Sequence, residues 1–411
     1  MAKALSPSDV LAFHAHESAR VAVVSLRGAQ REVWRALPFE FEDTIARLDE
    51  ADVVGPGAVV NGQQLSRRLV QHWRRLTRPA QIAPAQAPLR TTGRRYDLLF
   101  VPIGDLNELS MFEDLKPWLS SSRLRVAWVV ELWSRSIANN PRALRLLKQF
   151  DMIAVGAENS VEPLQRATGV PCFYLPAGVD VTQCMPNDLR AERPIDVYQM
   201  GRRADSTHRA LLNLARERDW YYLFDTSWSK ETDQPVEHRA LLADTIKRTR
   251  FFIANRAKVD APQQTGGQHE VGFRMFEGSA GGTVMMGETP QTPSFQNLFG
   301  WEDAVIPMPF GSTHIGDLID SLVAQPQRLQ AIRARNVQQA LLRHDWAYRW
   351  RAVLERAGLK PLPGLVAREA QLAALAERIG HEHTDIAAAS STGARILRLP
   401  VAGQTGLQMG A

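Results

Sequence analysis

Only two cysteines, Cys172 and Cys184, occur among 411 residues. That is too few for a disulfide framework or a thiolate zinc site, and it suits a reducing compartment. No apolar run approaches the roughly 20 residues needed to span a bilayer, and the most apolar stretch, 126–132, is far shorter. The first twenty residues lack the apolar core of a secretory signal, so a cytoplasmic chain is expected. Three catalytic signatures are missing as well. There is no GxxxxGK[ST] phosphate loop, no GxGxxG opening a first βα unit and no GxSxG elbow, which weakens NTPase, dehydrogenase and α/β-hydrolase readings. The histidine pairs His14/His16 and His381/His383 lie near the termini, without the cysteine or carboxylate company a metal ion needs. No metal site is expected.

What is present is ordinary globular composition, 45% hydrophobic and 23% charged, in a chain longer than one compact domain. The net charge of +5 is unevenly spread, because residues 61–96 hold eight arginines and no acid. Such a segment attracts anions: phosphate, acidic headgroups or nucleic acid. Within it, the stretch from Gln64 to Arg78 carries Leu65, Leu69, Trp73 and Leu76 at helical spacing. It reads either as a helix packed on a sheet with its arginines outside, or as a peripheral membrane contact. No RNA-binding aromatic motif or helix-turn-helix pattern accompanies it, which disfavours nucleic acid as the partner.

Short apolar runs alternate with helical stretches twice over. Strands are expected at 20–26, 97–103, 125–131, 151–155 and 172–175, then at 195–200, 220–224, 251–254, 283–286 and 304–307. Several are nearly continuous Val/Ile/Leu/Phe, as in strands buried on both faces of a parallel sheet. Helices are expected between them, including 41–48, 64–76, 141–149, 206–218, 238–248, 272–280, 315–324, 326–342 and 347–357. This alternation predicts an α/β chain of two Rossmann-like parallel-sheet domains facing across a cleft. The expected divisions are a first domain at 1–181, a linker at 182–194, a second domain at 195–359, and a C-terminal helix with a disordered tail at 360–411.

Ligands of open α/β sheets bind beyond the carboxyl ends of the strands. Four candidate stretches lie there. YQMGRR (198–203) would present Gly201, Arg202 and Arg203, with Arg209 on the helix that follows, to phosphate. GFRMFEGSAGG (272–282) places Phe273, Phe276 and Ala280 on a buried stripe, leaving Arg274 and Glu277 off it, and stops at Gly281 and Gly282. The polar loop 258–270 ends in His269 and Glu270. ELWS (131–134) offers Glu131 as a general base or a strand-end carboxylate paired with a cation, and Trp133 as a stacking surface.

Taken in order, YLPAGVD (174–180), IDVYQMGRR (195–203), FRMFEGSAGGTVMM (273–286) and HDWAYRWRAVL (344–354) resemble the C-terminal half of GT-B glycosyltransferases. The likeness is to the spore-maturation-type (CgeB-like) group and its family-1 relatives. It implies a nucleotide-diphosphate-sugar donor, no further cofactor, and an acceptor (glycan, lipid-linked, protein or small molecule) bound by the first domain. It implies that Glu277 holds the donor ribose, and that Gly201, Arg202, Arg274 and the amides of Gly281 and Gly282 border the diphosphate. Relatives often carry a second glutamate eight residues before that one; here His269 stands there and Glu270 is one residue out of register. An epimerase of the same fold would need Glu131 and His269 together in the cleft, and a non-enzymatic anion-binding protein would rely on 61–96.

Overall fold

The computed structural model describes residues 11–27, 30, 32–55, 93–112, 115–225, 231–232 and 234–396. Two sheets organise the chain. The first contains β1 (Leu11–His14), β2 (Val21–Val24), β3 (Ala51–Gly55), β4 (Tyr96–Ile103), β5 (Ser122–Val129), β6 (Met152–Val155) and β7 (Cys172–Tyr174), ordered β1-β3-β2-β4-β5-β6-β7. The second contains β8 (Ile195–Gln199), β9 (Tyr222–Phe224), β10 (Thr249–Ile253), β11 (Val284–Gly287) and β12 (Ile306–Pro307), ordered β12-β11-β10-β8-β9. All neighbours are parallel except the β1–β3 edge pair. All ten expected strands are present. β1 and β3 are additions, and β1 makes the first sheet mixed rather than purely parallel.

Val21, Val23, Leu98, Phe100, Val126 and Trp128 are fully buried. Strands covered by helices on both faces lose water from every side chain, which is why they read as unbroken apolar runs. In each sheet the strand order reverses beside one strand, β2 in the first and β8 in the second. A crevice opens beyond the carboxyl ends at such a switch point.

The chain crosses back after the second sheet. Trp346–Arg356 packs against the first-domain helix Ala36–Leu48, with Trp346 stacked on Phe41 at 4.7 Å. The final helix then runs from Pro363 to Ile396, past the point near 380 where the sequence loses apolar periodicity. Its Arg368 reaches Asp180 at 2.8 Å and Asp345 at 2.7 Å. The basic stretch 64–78, nearly all of 61–96, and the tail from 397 lie outside the described residues.

Candidate active site between the two sheets

The carboxyl ends of β5 and β6 face those of β8 and β10 across a cavity of about 250 Å³. Val130, Glu131, Trp133 and Gly156 line it from the first domain, and Met200, Gly201, Arg202 and residues 253, 255–259 and 270–274 from the second. The site is therefore built at the switch-point crevice of the second sheet and beyond β5 and β6 of the first, from loops held by strands that cannot shift without breaking a core.

Local backbone needs explain its glycines. Gly201 turns the chain out of β8 at φ +84°, a left-handed geometry that costs glycine nothing. A side chain at Gly272 would come within 2.2 Å of the Asn255 carbonyl oxygen, so only glycine lets the loop close against the helix start. That helix, Phe273–Ala280, has no side-chain cap, and Gly272, Phe273 and Arg274 all line the cavity. Its first amides are thus aimed at the cavity from the positive end of the helix dipole.

Four cations line the cavity: Arg202, Arg256, Lys258 and Arg274. Arg202 meets Asp260 at 2.7 Å and Arg256 meets Glu288 at 2.7 Å. Lys258, in left-handed backbone at φ +47°, reaches across the cleft to Glu131 and lies 5.4 Å from the Trp133 ring centre. The Trp133 indole donates to the same Glu131 oxygen at 2.8 Å. Glu131 is thus the strand-end carboxylate paired with a cation, but its partner comes from the opposite domain.

Glu270 lies at the junction of the domains, 4% exposed. It accepts from the Glu158 amide at 3.0 Å, the Asn159 amide at 3.1 Å and Gln268 at 2.7 Å. Burial pushes its carboxyl above the usual range, and those hydrogen bonds oppose the rise only in part.

Of the expected site residues, the structure brings Glu131, Gly201, Arg202, Glu270 and Arg274 to the cavity. The others stand elsewhere. Arg203 turns to Asp225 at 3.2 Å and over Phe224. Arg209 is exposed on the helix Asp205–Arg218, its Nε on the Asp205 carbonyl. His269 contributes its carbonyl oxygen to Asn159 and is not among the lining residues, so the Glu131–His269 pair of the epimerase reading is not assembled there.

The amides of Gly281 and Gly282 do not border this cavity. They donate to the carbonyls of Glu277 and Ser279 at the far end of the helix, where the dipole is negative. Glu277, expected at a ribose, is 1% exposed behind Arg274. One of its oxygens accepts from Arg239 and the other from Arg274. Burial alone would raise its carboxyl, but Arg274 and Arg239 outweigh it and hold the group below the usual range.

Sequence reasoning passed over Lys258, Arg256 and Arg239. Lys258 and Arg256 immediately follow a buried strand, and that position is the signal that could have found them. Among the described residues no group of three or more histidine, cysteine, aspartate and glutamate side chains is placed to hold a metal ion. No described helix is long and apolar enough to cross a membrane.

Comparison with known proteins bears on this arrangement. Residues 197–355 match a family described as glycosyl transferase-like. No curated protein matches the chain. Among solved structures, the N-terminal domain of Candida albicans trehalose-6-phosphate phosphatase aligns with a TM-score of 0.50 at 7% identity, over 82% of this chain and 97% of that one. Anabaena HepE, in complex with UDP and glucose, aligns at 0.47 and 12% identity, over 83% and 99%. Sucrose-phosphate synthase of Thermosynechococcus elongatus aligns at 0.46 and 11%, over 82% and 98%. The match makes residues 197–355 glycosyl transferase-like, and the two-sheet fold is shared with the Candida albicans domain.

Proposed function

We propose that the chain transfers a sugar from a nucleoside-diphosphate sugar, held against the second sheet, to an acceptor that enters from the first. One observation carries this reading. The uncapped start of the helix Phe273–Ala280 meets Arg202, Lys258 and Arg274 in a single cavity facing Glu131. A diphosphate leaving group gathers negative charge as its bond to the anomeric carbon breaks. Cations and helix amides fixed where that charge develops lower the barrier, because they need no reorganisation during the reaction. With four cations already in place, the transfer is metal-independent in this reading.

On the opposite wall, Glu131 receives the acceptor. The acceptor oxygen forms the new bond to the anomeric carbon, the bond to the diphosphate oxygen breaks, and the hydroxyl proton passes to the Glu131 carboxylate. Trp133 and Lys258 orient that carboxylate. Glu270, its oxygens engaged by main-chain amides, shapes the junction rather than meeting substrate.

A thermal-shift screen with UDP, GDP, TDP, CDP and ADP tests the reading. A ligand at a hundred times its dissociation constant adds about 2.7 kcal/mol of stability. One of the five is expected to give that response in EDTA as well as in magnesium, and Arg202→Gln is expected to lose it. Silence from all five would sink the donor site.

A further inference from the structure

A line of alternating charges runs from the first domain into the cavity. Glu40, on the helix Ala36–Leu48, accepts from Arg239 through both oxygens at 3.2 Å. Arg239 turns its remaining nitrogen to Glu277, and Glu277 gives its other oxygen to Arg274. Side-chain exposure is 8% at Glu40, 6% at Arg239 and 1% at Glu277, but 28% at Arg274, which alone opens to the cavity. The far end is fixed too, since Glu40 also accepts from the Asp180 amide at 3.1 Å and the Trp346 indole at 2.8 Å.

Three charges out of water are costly and gain little in stability over an apolar core of the same volume. Their geometry, however, is restrictive. A guanidinium fork presents its donors in one plane, so Arg239 can bridge two carboxylates only where both are held. Without the negative charge at Glu40, Arg239 has one buried counter-charge left and draws Glu277 to itself. Arg274 then loses its tether and swings out of the cavity.

We propose that Glu40 and Arg239 are positioning residues for donor binding: acting through Glu277, they hold the Arg274 guanidinium against the donor's diphosphate and make that grip depend on the first domain. The proposal rests on the reading of the cavity as the donor site.

A double-mutant cycle separates the two claims. Dissociation constants for UDP, GDP, TDP, CDP and ADP are measured by titration calorimetry on the full chain. Four proteins are compared: wild type, Arg274→Gln, Glu40→Gln and the double variant. Arg274→Gln is expected to weaken the tightest binder about 10-fold or more, the scale of one charge-assisted hydrogen bond. Glu40→Gln should weaken it about 3- to 10-fold in the wild-type background and less than about 2-fold when Arg274 is already Gln. A merely structural role would weaken binding by the same factor in both backgrounds, and that result overturns the proposal. So does a Glu40→Gln protein that binds as wild type does. An Arg274→Gln protein that binds normally refutes the donor site itself. Arg239→Lys, which keeps the charge and loses the fork, is run through the same cycle and decides the matter if Glu40→Gln does not fold.

Discussion

Beyond the buried Glu40–Arg239 pair, two contacts between the domains are made of different materials. At the back, Trp346 stacks on Phe41, and Trp350 meets Phe100 edge-on at 5.7 Å while its indole donates to Asp49 at 2.9 Å. Asp180 and Asp345 are clamped there by Arg368. At the mouth, Gln268 accepts from the Ser134 amide at 3.0 Å and donates to Ser160 at 2.9 Å, Glu270 takes the amides of Glu158 and Asn159, and Lys258 meets Glu131. The back buries aromatic surface that water cannot replace. The mouth is a seam of polar contacts, and water can take over those of the half-buried Gln268 and Lys258 at little cost. Such an arrangement fixes the axis between the domains and leaves the cleft free to admit a ligand.

The back contact is where the largest loss is expected. Trp350 is fully buried between the first-domain helix and β4, so Trp350→Ala removes a large ring and leaves a cavity. The cost is about 3–5 kcal/mol, read as a fall in the midpoint of urea unfolding. A change below about 1 kcal/mol would mean that the back contact is no more permanent than the mouth.

Acid should loosen the same contact by a smaller amount. Burial opposes the Asp180 carboxylate, but Arg368 and Arg47 beside it bring its pKa down to about 2 from an ordinary 3.8. A carboxylate whose folded pKa is depressed contributes stability above its unfolded pKa and loses it as pH falls through the folded one. Some 2 kcal/mol is therefore present at neutral pH and disappears between about pH 4 and pH 2. Asp180→Asn should be less stable at neutral pH and show a flatter acid limb over that window. Parallel acid limbs in the two proteins would remove Asp180 from the clamp.

This division was only half legible in the sequence. Runs such as 97–103, 126–129 and 195–199 announce themselves because both faces are covered, and the ends of the last two led directly to Glu131, Gly201 and Arg202. The strand Ala51–Gly55 escaped notice because it is short and carries Asp52, a carboxylate buried with the Tyr96 hydroxyl at 2.7 Å, the His16 amide at 2.9 Å and Arg94 as partners. Pairing of that kind is tertiary and leaves no local trace. The same holds for Glu40 and Arg239, 199 residues apart in the chain. Gly281 and Gly282 were read correctly as a helix stop. A helix end, however, offers amides only at its start, and the structure turns the start toward the cleft. Glu277 looked available because it falls off the apolar stripe, yet two arginines enclose it.

The mouth should respond least in stability and most in motion. Gln268 is half-buried and its side chain alone joins Ser134, Ser160 and the Leu132 carbonyl across the cleft. Gln268→Ala removes those bonds from a site that water can reach, at a cost of about 1 kcal/mol. Because Gln268 ties the loop 258–270 to the first domain alongside Lys258, Gln263, His269 and Glu270, the loop's amides should exchange with deuterium faster in the variant, and those of Trp346–Arg356 should keep the wild-type rate. Equal acceleration at both places would show that the domains part as a whole and that the back contact is no hinge. Unchanged exchange at 258–270 would show instead that Lys258 and Glu270 hold the seam without Gln268, and the polar contacts of the mouth would then have to be broken together before the cleft could open.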